Sequence, residues 1–102
     1  MFLINALAKP TKKSAQYDEV IGAYVSLYID YKDINGAFKL AKYYIKEEGW
    51  KVTEIEEEYF TLDNVSDVDE DHIELYEEAL EYGYSMIFNC FEEDEGEDEN
   101  EE

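Results

Sequence analysis

The side chains able to do chemistry are few in kind. The chain has one histidine, one cysteine and no arginine, against 28 carboxylates and eight lysines. His72 stands among Asp69, Glu70, Asp71 and Glu74, and Cys90 lies well downstream in an apolar stretch. Nucleophilic catalysis needs an activated Ser, Cys or Thr with a base and an orienting group. Cys90 and His72 are the only thiol and imidazole, and a cysteine on an apolar strand usually behaves as a small hydrophobe. His72 reads as a surface residue near a helix start. Acid–base work by paired carboxylates needs one carboxyl with a raised pKa in a pocket. Carboxylates in solvated runs suggest no such pocket. No catalytic residue is assigned, and the chain is not expected to be an enzyme.

Metal chemistry is tested by spacing. Asp67, Asp69, Asp71 and Glu78 fall where a calcium loop has its first, third, fifth and twelfth residues. The glycine that makes the sharp turn of such a loop is replaced by His72, and its apolar eighth position by Glu74. Acids near a helix N-terminus also favour the helix dipole, which explains them without a metal. One Cys and one His give no zinc spacing, and five scattered glycines give no phosphate loop. No metal and no cofactor is expected.

What remains is charge. The formal net charge is −20, and its distribution is uneven. Residues 1–46 carry +3, residues 47–91 carry −14 and residues 92–102 carry −9. Like charge disfavours nucleic acid and anionic membranes as partners, and the lack of Arg argues against bidentate phosphate recognition. A cationic protein is the complementary partner. The densest run is EIEEEYF, Glu54 to Phe60, with four glutamates inside a stretch otherwise built like a strand. Glutamate is a poor strand former, and adjacent like charges repel.

The elements that must position these groups follow from periodicity. Phe2 to Ala8 reads as a strand, and Lys9 to Glu19, with the only Pro, as a loop. Gly22 to Tyr31 alternates: Val25, Leu27, Ile29 and Tyr31 on one face, Tyr24, Ser26, Tyr28 and Asp30 on the other. Asp33 is an N-cap for a helix with Ile34, Ala37, Phe38, Ala41 and Ile45 on its apolar side, ended by Gly49. Trp50 to Leu62 reads as one strand, and Asp63 to Asp69 as a polar loop. A second helix carries Ile73, Tyr76, Ala79 and Leu80 on one stripe and closes at Gly83. Tyr84 to Phe91 is a strand apolar on both faces, which predicts an interior place in the sheet.

The predicted fold class is α+β: a two-layer sandwich with a mixed sheet of about four strands and two helices on one face, in the order ββαβαβ. Residues 1–91 form a single small domain in this scheme, and residues 92–102, with no apolar side chain, a disordered acidic tail. The second sheet face would then stay open, lined by Tyr24, Tyr28 and Phe88, unless the 9–19 loop or a homodimer mate covers it. Inside EIEEEYF a β-bulge would bring Ile55 to the core beside Trp50 and Val52 and leave the glutamates solvated on an edge.

With a single Cys no internal disulfide forms, no apolar run reaches a membrane span of roughly 20 residues, and FLINALA is too short for a secretory leader. A cytoplasmic protein is expected. The function expected is an acidic inhibitor that binds and neutralises a basic protein, in the manner of an immunity protein against a toxin nuclease. The alternatives are a nucleic-acid mimic, such as a phage inhibitor of DNA-binding defences, and a small acidic subunit or regulatory module. The partner-binding residues expected are Glu54, Glu56, Glu57, Glu58, Asp67, Asp69, Glu70, Asp71, Glu74, Tyr24 and Tyr28.

Overall fold

The alternation of GAYVSLYI makes the central strand. In β2 (Gly22–Ile29) the side chains of Ala23, Val25, Leu27 and Ile29 are fully buried. It pairs antiparallel with β1 (Phe2–Pro10), from Phe2 opposite Ile29 to Ala8 opposite Ala23. Ile4, Ala6 and Ala8 therefore join the same buried face. Each fully buried Ile, Leu or Val contributes roughly 1.5–3 kcal/mol over an exposed position. The computed structural model describes residues 1–14 and 17–91; the expected acidic tail at 92–102 lies outside the described residues.

Helix α1 (Ile34–Glu47) packs on this face through Ala37, Ala41 and Ile45. Its two alanines bring the helix backbone close to the sheet. The Asp33 carboxylate accepts the Gly36 N–H at 2.7 Å, as its N-cap role predicts. The helix ends at Gly49, whose φ of 88° admits glycine readily, and the chain turns into β3 (Trp50–Ile55). β3 pairs antiparallel with β1 on the side away from β2, and a short β4 (Phe60–Thr61) continues along the same side of β1.

Two 3₁₀ turns, Val65–Asp67 and Glu70–His72, lead into α2 (Ile73–Tyr82). After Gly83, with φ 98°, β5 (Tyr84–Phe91) pairs antiparallel with β2. The sheet order is β3-β1-β2-β5, with β4 beside β1.

The α+β class holds, with several corrections. The sheet has five strands rather than four and is antiparallel throughout rather than mixed, and the strand expected over Trp50–Leu62 is two strands. The order becomes ββαββαβ. The helices lie on opposite faces, so there are three layers rather than two. Leu27 and its partners Ile4 and Met86 face α1, whereas Tyr28 and its partners Leu3 and Ser85 face the side where Tyr76 and Ala79 of α2 are buried. The Ser85 hydroxyl donates to the Leu75 carbonyl at 2.6 Å and ties α2 down there. The crossover rule for parallel neighbours has no purchase here, because no two adjacent strands are parallel. β5 is an edge strand rather than an interior one. On the α1 face Tyr84, Met86 and Phe88 pack against the core, and on the other face Ser85 meets α2 and Phe91 leans on Tyr24, so an apolar strand need not lie between two others.

Leu80, expected on the buried stripe of α2, is 55% exposed. Phe88 belongs to the α1 face rather than the open one. Its ring meets Trp50 at 5.0 Å between centroids, so the two edge strands touch across the alanines of β1 and β2.

Candidate functional site

The glutamate run is built by irregular pairing. Glu54 stands opposite Leu7 but Val52 opposite Ala8, so Thr53 is an extra residue in β3. Further on, Ile55 pairs with Ala6 and Phe60 with Leu3, so the four residues Glu56 to Tyr59 stand opposite only two, Ile4 and Asn5. One bond holds the break, from the Glu56 N–H to the Asn5 carbonyl at 3.0 Å. The result is the expected bulge: Val52 and Ile55 pack partly buried against the core, and Glu54, Glu56, Glu57 and Glu58 are all exposed.

Tyr59 anchors the break. Its ring meets Phe2 edge-on at 5.7 Å and Phe38 of α1 at 6.0 Å. Simple alternation puts Tyr59 on a face with Glu57 and misses this role. The signal was the aromatic residue closing an otherwise charged run.

Six of the eleven expected partner-binding residues line two hollows on the α2 side of the sheet. The first, about 350 Å³, brings Tyr24 together with Glu54 and Glu56, beside Asn5, Leu7 and Ser26. Tyr24 is 62% exposed, and its ring leans on Phe91 at 5.2 Å. The Ser26 hydroxyl donates to Asn5 Oδ1 at 2.9 Å and fixes the floor.

The second hollow, about 620 Å³, holds Asp67, Asp69, His72 and Tyr28 beside Leu3 and Phe60. Leu3 lines this hollow and Asn5 and Leu7 the first, so the two follow one another along β1. Glu57, Glu58, Glu70, Asp71 and Glu74 are exposed and line neither.

Tyr28 corrects the picture of an open aromatic face. It is 1% exposed, buried with Tyr76, Ala79 and Leu62. Its hydroxyl lies 2.9 Å from His72 Nδ1, and the rings meet edge-on at 5.9 Å. Burial, and then the nearby Asp69 carboxylate, push the Tyr28 hydroxyl pKa above its usual value. His72 is accordingly half-buried, not a free surface residue. A neutral phenol pairs with either imidazole tautomer, donating to bare Nδ1 or accepting from Nδ1–H. Asp67 spends its carboxylate locally, accepting the N–H of Asp63 at 2.9 Å and of Asn64 at 3.3 Å to cap the first 3₁₀ turn.

Cys90 pairs with Ala23 on the α1 side, whereas His72 meets Tyr28 on the α2 side, so the sheet separates thiol from imidazole. Among the described residues no three His, Cys, Asp or Glu side chains gather to hold a metal ion. No helix among them is long and apolar enough to cross a membrane.

Charge exposure is uniform. Every one of the fifteen carboxylates at residues 47–91 is exposed. The lysines also gather: Lys42, Lys46 and Lys51 surround a hollow of about 450 Å³ beside Thr11, Trp50 and Val52. The charge count gives the positive first half but not this patch, whose signal is the one-turn spacing of Lys42 and Lys46 with a third lysine just after the helix. Compared with protein-family models, curated proteins and solved structures, the chain matches none.

Proposed function

We propose that this chain is a non-enzymatic acidic protein that binds and neutralises a basic protein, as an immunity protein does with a toxin nuclease. The observation that carries this reading is the exposure of all fifteen carboxylates of residues 47–91. The fold encloses its core without using them, so their field is free to act outward. Carboxylates in such numbers accelerate encounter with a cationic surface and repel nucleic acid and anionic lipid.

The first hollow adds contact area to charge. Tyr24 offers an exposed ring and hydroxyl in the same hollow as Glu54 and Glu56, the combination that suits a wet interface. An exposed free thiol at Cys90 fits a reducing, cytoplasmic setting.

The test is capture of basic nucleases from extract at two salt concentrations, followed by assay of the captured nuclease with and without this protein. The expected result is recovery at low salt, steep loss at high salt and inhibition of the nuclease. Substituting Glu54, Glu56, Glu57 and Glu58 by Gln should slow association about tenfold or more. Salt-independent capture, or a nuclease that stays fully active when bound, refutes the proposal. Capture of DNA-binding proteins, released by duplex DNA, replaces it with nucleic-acid mimicry.

A further inference from the structure

The side of β5 away from β2 is an unpaired strand edge among the described residues. The Asp30 N–H donates to the Gly83 carbonyl at 2.9 Å, which fixes the phase of the β2–β5 ladder. Antiparallel pairing alternates inward and outward backbone groups. Ser85, Ile87, Asn89 and Phe91 therefore bond to β2, and Tyr84, Met86, Phe88 and Cys90 turn their N–H and C=O groups away from the sheet. No strand among the described residues pairs on that side. The strand is unbulged through all eight residues and carries no charge, so it has none of the usual devices that keep an edge from pairing.

A hollow of about 490 Å³ lies along this edge. Glu48 lines it from the end of α1, Glu78 and Tyr82 from α2, and Tyr84, Met86 and Phe88 from β5. The two helices lie on opposite faces of the sheet, so a hollow touching both wraps around its rim. The unpaired backbone of β5, the aromatic residues Tyr82, Tyr84 and Phe88, and a glutamate from each helix side thus come together along one edge.

We infer that β5 and this hollow bind an extended segment of a cationic protein, which adds as a further strand and sets a Lys or Arg between Glu48 and Glu78. Only an extended chain matches backbone groups repeating along a strand edge. Charge selects the occupant. A second copy would bring a chain of net charge −20 to an edge already lined by Glu48 and Glu78, which like-charge repulsion opposes. A cationic strand meets attraction at the same places. This inference rests on the proposed function and gives it a binding mode distinct from the Glu54–Glu58 run.

The experiment uses the full chain and a synthetic peptide of alternating Val and Thr flanked by lysines. Its controls are the same peptide with Glu in place of Lys, and one N-methylated at alternate amides. Amide hydrogen exchange is read residue by residue. The expected result is about tenfold or greater slowing at Met86, Phe88 and Cys90 with the lysine peptide, and none with either control. Glu48→Gln with Glu78→Gln should weaken binding about fivefold. Cys90→Pro, which removes one outward N–H at an exposed edge position, should weaken it by a similar factor.

Equal protection by the glutamate peptide overturns the choice of occupant. Protection without any peptide, together with a dimer in sedimentation, assigns the edge to a second copy and also overturns it. If the lysine peptide or a captured nuclease binds in a salt-sensitive way while the β5 amides stay unprotected, the inference fails and the acidic-inhibitor reading stands. If no cationic peptide or protein binds, both fail.

Discussion

Along one edge of the sheet, β3 and β4 follow β1 with an extra residue at Thr53, a four-against-two break at Glu56 to Tyr59 and four exposed glutamates. Along the other, β5 follows β2 for eight residues with no break and no charge. Both edges belong to one antiparallel sheet and both leave a helix through a left-handed glycine, Gly49 before β3 and Gly83 before β5. The contrast is therefore made by side chains and register, not by architecture. A broken, charged edge resists any incoming strand, whereas a regular, neutral one accepts it. A molecule with one edge of each kind can grow in only one direction.

The contact that joins the edges gives the largest expected effect. Trp50→Ala should cost about 3–5 kcal/mol in urea unfolding, since the ring is 4% exposed and spans to Phe88. A loss below about 1 kcal/mol would mean that the two edges are stable independently.

The two glycine joints come next. An added Cβ at Gly83 meets nothing within 4 Å, so Gly83→Ala should cost only the left-handed conformation, about 1–2 kcal/mol. At Gly49 the same Cβ lies 3.0 Å from the Ser14 amide nitrogen, so Gly49→Ala should cost more. Equal losses by thermal or urea unfolding would show that the loop before β2 gives way freely.

A smaller effect is expected under α2, the helix that walls the β5 side. Tyr28→Phe removes the contact to His72 and should cost about 0.5–1.5 kcal/mol near neutral pH. The Tyr28 hydroxyl is pushed above 10.0 in the folded chain, so the native state keeps a proton that the unfolded chain releases. Stability from this source is whole below about pH 10 and falls as pH rises through the folded pKa. Tyr28→Phe should flatten that alkaline decline; an unchanged slope would place the titration elsewhere.

The smallest change is expected at the broken edge itself. Glu54, Glu56, Glu57 and Glu58 are exposed, so replacing all four by Gln should move stability by only a few tenths of a kcal/mol, upward at low salt. A loss above about 1 kcal/mol would show that the glutamates hold the bulge as well as charge it.

Local features were legible in the sequence. Asp33, the spacing from Ile34 to Ile45 and Gly49 define α1 because capping and periodicity act within a few residues. The bulge was legible because a regular strand would have buried glutamates between Trp50 and Phe60. Of the site, Tyr24, Glu54 and Glu56 line one hollow, a meeting that depends on β1 pairing with both β2 and β3 and that no single strand's alternation gives. Layer and neighbour were not legible. Tyr24, Ser26 and Tyr28 share one side of β2, yet α2 covers only the Tyr28 end, a choice made by Leu62, Tyr76 and Ala79 far along the chain. Nor does YSMIFNCF distinguish a strand between strands from a strand between helices.

Trp50 is the chain's single tryptophan. Its indole touches the ring of an edge strand three places away in the sheet order, so the molecule carries an optical gauge at the seam between its two edges. A strand added to β5, or a protein drawn to the glutamates of the other edge, would be read in its emission without any attached dye.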